Sequence, residues 1–209
     1  MIKKHILFLL LFSGCYLQAQ ELFISNGKNF TKYDYKNSIG ISNPDIRSGE
    51  GSFYEIGMAF QLNKSAAIDK LSYAVSLVYN QFNATGGTST ANYAWKTNYF
   101  GIQNALNYTL FQNSKSFKLK TKLGCATSTI IKGEQYINNV VYNISKQEEF
   151  KGILIQPNIG IDFQYAINPN IKISAGYEFS KAFNVSNKSA EELSFTNNQI
   201  HFGLHFPLK

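Results

Sequence analysis

Apolar and polar residues alternate along most of the chain with a period of two, which is typical of β-strands that have one apolar and one polar face. In segment 153–165, Ile159, Ile161 and Phe163 fall on one face, whereas Gly160 and Asp162 fall on the other. The same alternation recurs in segments 54–62, 71–80, 100–110, 117–125, 171–180 and 200–206, and more weakly in 22–26. The pattern therefore predicts an all-β protein of eight strands.

The connections between these strands alternate in length. Short connections are expected at 63–69, 112–116 and 168–170, and long polar ones at 28–52, 82–92, 132–149 and 184–192. Short turns at one end and long loops at the other are typical of an antiparallel up-and-down barrel of the bacterial outer membrane. An even number of strands also places both chain ends at the end with the short turns. In a membrane that end would be periplasmic.

The sizes of the side chains indicate which face points into the barrel. Glycines recur on the polar face of six strands, at Gly57, Gly101, Gly124, Gly160, Gly176 and Gly203. An eight-stranded barrel has an interior only wide enough for side chains to fill, so small residues suit the inside. The bulky apolar face then points outward, into lipid. The alternative is a soluble periplasmic, lipocalin-like carrier with its apolar face inside.

Aromatic residues of the apolar face gather near both ends of the predicted strands. The two groups are Phe60, Tyr73, Tyr108, Phe117, Phe163, Tyr165 and Phe206 near the short turns, and Tyr54, Tyr79, Phe100 and Phe179 near the long loops. Two such belts are expected at the two interfaces of a membrane. The simpler alternative is that aromatic residues favour strands in general.

Charged residues of the polar face would lie inside the barrel and need partners of opposite charge, because a buried unpaired charge is costly. The expected network consists of Lys118, Lys120, Lys122, Asp162, Glu178 and Glu55. In its core, Lys120 and Lys122 would pair with Asp162 and Glu178. Such a network would close the lumen to solutes. The alternative is an ion or proton path along the same residues.

The first twenty residues have the layout of a secretory signal. Lys3 and Lys4 precede an apolar run, 6–12, and small or polar residues follow up to Ala19 and Gln20. We therefore expect 1–20 to be a cleaved signal peptide and 21–209 to be the barrel domain. A lipoprotein signal that leaves Cys15 as the lipidated first residue is the alternative.

The charge and cysteine content of the mature chain narrow the function further. Without Lys3 and Lys4 it carries 18 basic and 13 acidic residues, and Arg47 is its only arginine. The basic residues are scattered, so a nucleic-acid partner is not expected. Cys125 is the only cysteine besides Cys15, which leaves no disulfide framework and no cysteine-based zinc site. We expect no metal and no cofactor.

The chain resembles the small outer-membrane β-barrel proteins of the OmpA and OmpX type found in Bacteroidota. The resemblance covers about residues 21–209. It depends on the strand layout, on Gly27-Lys28-Asn29-Phe30 after the first strand, and on the closing Phe202-Gly203-Leu204-His205-Phe206. It implies outer-membrane lipid, lipopolysaccharide and the barrel-assembly machinery as partners.

Catalysis is not expected. The mature chain has two histidines, His201 and His205, both on the polar face of the last strand, and no serine lies two residues from either. General acid–base chemistry needs convergent groups, and the sequence shows none.

We expect a structural or surface-binding role carried by the extracellular loops. The loop 28–52, with Phe30, Tyr33, Tyr35 and Arg47, is the main candidate for outside contacts. The alternatives are transport of a small apolar molecule across the outer membrane and the soluble carrier.

Overall fold

The computed structural model describes residues 21–62, 70–87, 92–113, 116–138 and 140–208. The strands within them are β1 (Glu21–Lys36), β2 (Arg47–Gln61), β3 (Leu71–Gly87), β4 (Asn92–Asn113), β5 (Phe117–Ile137), β6 (Val140–Asn143), β7 (Ile153–Asn168), β8 (Ile171–Asn184) and β9 (Glu192–Pro207). The signal peptide expected at 1–20, with Cys15, lies outside the described residues, as does the short turn expected at 63–69. Among the described residues no helix is long and apolar enough to cross a membrane.

Eight of the strands form a closed antiparallel barrel. Strands β1 to β5 pair in chain order, β5 pairs with β7, and β7, β8 and β9 follow in order. The barrel closes because β9 pairs with β1 over a long register, from Pro207 opposite Glu21 to Glu192 opposite Lys36. Strand β6 pairs only with β5 and stands outside the ring. The predicted eight-stranded up-and-down barrel is therefore confirmed.

The two faces point as the alternation predicts. Ile159 and Phe202 point outward and are exposed, whereas Gln164 and Glu178 point inward and are buried. The inward glycines have a stricter reason than the width of the lumen. A Cβ on Gly101 would lie 2.2 Å from the backbone oxygen of Thr127 on the next strand. A side chain there would therefore collide with the neighbouring strand itself.

The strands are longer than the sequence pattern predicts. Strand β1 continues to Lys36 and β2 starts at Arg47, so the long loop expected at 28–52 shrinks to the connection 37–46. Likewise β3 reaches Gly87, and β5 reaches Ile137 before it turns back into β6. The Gly27–Phe30 segment, expected after the first strand, lies inside β1. The first strand, expected to be weak, is a full barrel strand.

The barrel has two different ends. We call the end at Glu21 and Pro207 the lower end; the short turn between Asn168 and Ile171 lies there. The upper end holds the connections 37–46, 144–152 and 185–191. In this upper part polar side chains point outward and apolar ones inward, the reverse of the arrangement lower in the barrel. Lys28 and Lys32 point outward, whereas Tyr33 and Phe195 point inward and are buried.

The upper part of the lumen is filled by an apolar cluster, which we call the upper aromatic core. It consists of Tyr33, Ile46, Phe82, Ala84, Tyr99, Ile144, Phe150, Leu154, Ala182, Leu193 and Phe195. The Tyr33 hydroxyl lies 2.8 Å from the Thr97 hydroxyl and donates to the backbone oxygen of Phe82 at 2.9 Å. Burial raises the pKa of Tyr33 above its ordinary value. Because Ile46 and Phe150 come from the connections, this core also fixes the upper loops onto the barrel.

Candidate functional site: the lumen and its lower mouth

Three charged side chains from three separate strands meet in the middle of the lumen. Lys122 of β5 lies 2.9 Å from a carboxylate oxygen of Glu178 on β8 and 3.7 Å from one of Glu55 on β2. The Ser76 hydroxyl donates to the other Glu55 oxygen at 2.5 Å. All three charged groups are buried. We call Glu55, Lys122 and Glu178 the central charge cluster; it crosses the lumen from wall to wall.

Asp162 has a different partner from the one expected. Although Asp162 lies opposite Lys120 in the β5–β7 register, its Oδ1 atom lies 2.8 Å from His201 Nε2 on β9. The expected pair between Lys120 and Asp162 is therefore wrong. The physical reason lies on β8, between the two strands. A Cβ on Gly176 would be 2.1 Å from Asp162 Oδ1 and 2.6 Å from His201 Nε2, so only a glycine leaves room for this contact.

Two further layers separate the central charge cluster from the upper aromatic core. Phe53, Val78 and Ala126 form a small apolar layer, and the ring centroids of Phe53 and His201 are 6.1 Å apart. A layer of amides follows. Asn29 donates to Asn80 at 3.0 Å and accepts from Asn197 at 3.1 Å. The lumen is thus packed over several successive layers.

Below the central charge cluster the lumen opens into a cavity of about 250 Å³, which we call the lower mouth. Its walls include Glu21, Lys70, Lys118, Lys120 and Lys172. Glu21 is bound from three sides: by Lys172, by the His205 ring at 2.8 Å and by Gln164 at 3.3 Å. The lower mouth therefore holds four lysines and one carboxylate, which is already engaged.

His205 connects a hydroxyl with a carboxylate. Its Nε2 atom lies 2.9 Å from Ser174 Oγ on β8, and its Nδ1 atom lies 2.8 Å from Glu21 Oε1 on β1. These groups line a narrow cavity of about 50 Å³ that shares Glu21 and Lys120 with the lower mouth. Ser174 lies opposite Gly203 in the β8–β9 register and reaches His205 diagonally, so its distance from His205 along the sequence gave no signal of this contact.

The residues expected in an outer contact loop lie in strands instead. Tyr33 is 3% exposed and belongs to the upper aromatic core, so its expected role in outside contacts is wrong. Tyr35 packs against that core. Phe30 and Arg47 are exposed on the barrel wall. Ile39 and Ile41, which no sequence pattern singled out, are 75% and 60% exposed in the connection 37–46.

Most of the aromatic residues expected in two belts belong to the outward faces of their strands, but Phe60 is only 9% exposed and lines the lower mouth. Three pairs contact each other across neighbouring strands: Tyr54 with Tyr79, Phe60 with Tyr73, and Phe117 with Phe163, at ring-centroid distances of 6.0, 6.4 and 6.3 Å. The remaining members are Phe100, Tyr108, Tyr165, Phe179 and Phe206. Cross-strand aromatic pairs stabilise the wall of the barrel by up to about 1 kcal/mol each.

The fold defines the class of this protein, a closed eight-stranded antiparallel β-barrel with a packed lumen. No protein-family model matches the chain, and no curated protein matches it. Solved structures do. The outer membrane protein OprG from Pseudomonas aeruginosa is 13% identical and has a TM-score of 0.51; the match covers 92% of this chain and 98% of OprG.

Two further similar structures have lower TM-scores. Neisserial surface protein A is 14% identical (TM-score 0.47), with 90% of this chain and 97% of that chain covered. The outer membrane enzyme PagL is 10% identical (TM-score 0.41), and the match covers 90% of this chain and 99% of PagL. At 13% identity the likeness to OprG shows the fold and leaves function to the residues of this chain.

Proposed function

We propose that this protein is an outer-membrane barrel with a closed lumen, without enzymatic activity, that acts as a scaffold and contacts other molecules through its upper end. The observation that carries the proposal is the outward apolar face. Ile24, Ile56, Leu123, Ile159 and Phe202 all lie exposed on the wall of the barrel. A wall with so much exposed apolar surface is stable in lipid and aggregates in water.

The two alternatives from the sequence fit the lumen less well. A soluble carrier needs an apolar cavity inside the barrel, but the middle of this lumen holds Glu55, Lys122 and Glu178. Transport through the barrel needs a path, and both the central charge cluster and the upper aromatic core lie across it. This packing supports a scaffold rather than a channel or a carrier.

The upper end supports a role in contact. Strands β4 and β5 continue to Asn92 and Ile137, beyond the outward apolar face, and β6 adds an outer edge on which Val140, Val141 and Tyr142 are exposed. Ile39 and Ile41 project from the connection 37–46. Exposed apolar groups at the tips of a fixed scaffold are typical of binding surfaces.

Membrane insertion is tested by cell fractionation. The full chain, expressed in a bacterium with an outer membrane, should remain in the membrane pellet after an alkaline carbonate wash and dissolve only in detergent. The folded barrel should also migrate differently from the boiled chain on a gel. A mature protein that is soluble without detergent would contradict the proposal.

Closure of the lumen is tested in planar bilayers. The purified barrel should give no discrete conductance steps over a range of voltages. The same detergent without protein, added to identical bilayers, gives the background. Reproducible steps from this protein would contradict a closed scaffold and favour transport.

Hydrolysis of an ester is a second candidate function, and one specific observation favours it. The order hydroxyl, imidazole, carboxylate in Ser174, His205 and Glu21 is the arrangement that activates a serine nucleophile. The test is covalent labelling by a fluorophosphonate probe, with Ser174→Ala as the matched control. Labelling that Ser174→Ala abolishes would establish a reactive serine. Equal signals from both proteins would make the three groups a structural hydrogen-bond chain.

A further inference from the structure

The charges of the lower mouth do not balance. Its walls hold the ammonium groups of Lys70, Lys118, Lys120 and Lys172 and the carboxylate of Glu21. Glu21 binds Lys172 directly. Among the described residues, no carboxylate lies within 4.0 Å of the Lys118 or Lys120 ammonium group. The lower mouth thus has a surplus of positive charge.

The neighbouring acidic residues have other direct partners, and none of them forms an ion pair with Lys118 or Lys120. Asp162 is engaged by His201, and Glu55 and Glu178 are engaged by Lys122. The narrow cavity above the lower mouth is lined by Glu55 and Lys122 of the central charge cluster, which lies across the lumen at that level. An ion that enters from below therefore meets a dead end lined by lysines.

We propose that the lower mouth binds a phosphate-bearing anion that enters from the lower end of the barrel. Lysine ammonium groups are compact charges that bind phosphate oxygens well. A cavity of about 250 Å³ has room for a phosphate or diphosphate group with several waters. Lys118 and Lys120, two positions apart on β5, line the cavity from the same strand and supply two charges that have no ion pair among the described residues.

The phosphate has two possible sources, a small soluble phosphate compound or the headgroup of a lipid at the lower rim. The binding chemistry is the same in both cases and depends only on the lysines. The lipid source in addition depends on the proposed membrane location. A mature protein that is soluble without detergent would therefore exclude the lipid as the source, whereas the anion site itself would remain.

The experiment is a calorimetric titration of the purified barrel in a non-ionic detergent with inorganic pyrophosphate at constant ionic strength. The variant is Lys118→Gln with Lys120→Gln. The matched control is Lys132→Gln with Lys181→Gln, which removes the same charge from the outside of the barrel. Lys118→Arg with Lys120→Arg keeps the charge and guards against loss of binding through misfolding.

The wild-type barrel should bind pyrophosphate saturably, about one per barrel. Loss of both lysines should weaken binding by roughly tenfold or more, since each tenfold corresponds to only about 1.4 kcal/mol. The control and the arginine variant should stay within about twofold of wild type, well below that tenfold criterion. Absence of saturable binding, or equal weakening in the control, would overturn the proposal.

A second set of titrations distinguishes the two sources. The barrel is placed in vesicles of phosphatidylcholine alone or with added phosphatidylglycerol. If the anionic headgroup occupies the lower mouth, pyrophosphate should bind more weakly in the mixed vesicles, and the lipid is the source. Unchanged binding in the mixed vesicles assigns the site to a soluble phosphate compound.

Discussion

The replacement Lys122→Met tests the central charge cluster most directly. It removes the ammonium group that lies 2.9 Å from Glu178 and 3.7 Å from Glu55, and it keeps a side chain of similar length. Both carboxylates then face each other in a buried site without a cation. Removing one partner of a buried ion pair costs about 3–5 kcal/mol, because the remaining charge stays desolvated.

The loss should be measured as the free energy of unfolding by urea or guanidinium in lipid vesicles, where small barrels are followed by tryptophan fluorescence and by gel migration. The control is Lys132→Met, which breaks an exposed pair with Glu134 on the upper barrel. That change should leave the unfolding midpoint as it is, because exposed ion pairs are screened by water.

A triple variant separates the charge from the packing. Adding Glu55→Gln and Glu178→Met to Lys122→Met removes the uncompensated carboxylates, and it should recover at least half of the lost stability. Replacing a whole buried ion network with neutral groups is often close to neutral. If Lys122→Met costs no more than the Lys132 control, the three groups are hydrated in the folded barrel and the idea of a closed, dry cluster is wrong.

Three other replacements test the outward face of β7, the contact between Asp162 and His201, and the ion pair between Lys132 and Glu134. Ile161→Lys places a charge on the outward face of β7 and should cost roughly 2–4 kcal/mol and impair insertion into vesicles; full insertion would mean that this face does not meet lipid. Asp162→Ala removes the hydrogen-bond partner of His201 and should cost about 1–3 kcal/mol in unfolding experiments, the range for a buried hydrogen-bonding group left without its partner and a milder loss than for Lys122→Met. The Lys132 ammonium group, which binds Glu134, holds the pKa of that carboxyl below its usual range, so Lys132→Gln should raise the midpoint of its NMR titration; an unchanged midpoint would remove this contact from solution.

The faces of the strands could be predicted from the sequence because the period of two leaves no freedom once a strand is recognised. Ile161 outward and Asp162 inward follow from the alternation alone. The number of barrel strands could be predicted for the same reason. The lengths of the strands could not. Above the apolar wall, the inward positions become apolar, as at Tyr33 and Phe195. The pattern of outward apolar residues therefore ends before the strands do.

The contacts across the lumen were predictable only in part. The sequence brings lysines and carboxylates to the inside, but their partners depend on the stagger between strands. Asp162 therefore pairs with His201 past Gly176, and not with Lys120 of the neighbouring strand. Ser174 likewise lies opposite Gly203 in the β8–β9 register and contacts His205 diagonally.

The central charge cluster has a consequence for how the barrel stays shut. The first and last strands of the barrel, β1 and β9, pair with each other, and this junction has β2 on one side and β8 on the other. Glu55 belongs to β2 and Glu178 to β8, so Lys122 ties together the two strands that flank the junction from the opposite wall. Thermal opening of the β1–β9 hydrogen bonds would have to stretch this bridge. Lys122 thus opposes the separation of β1 from β9.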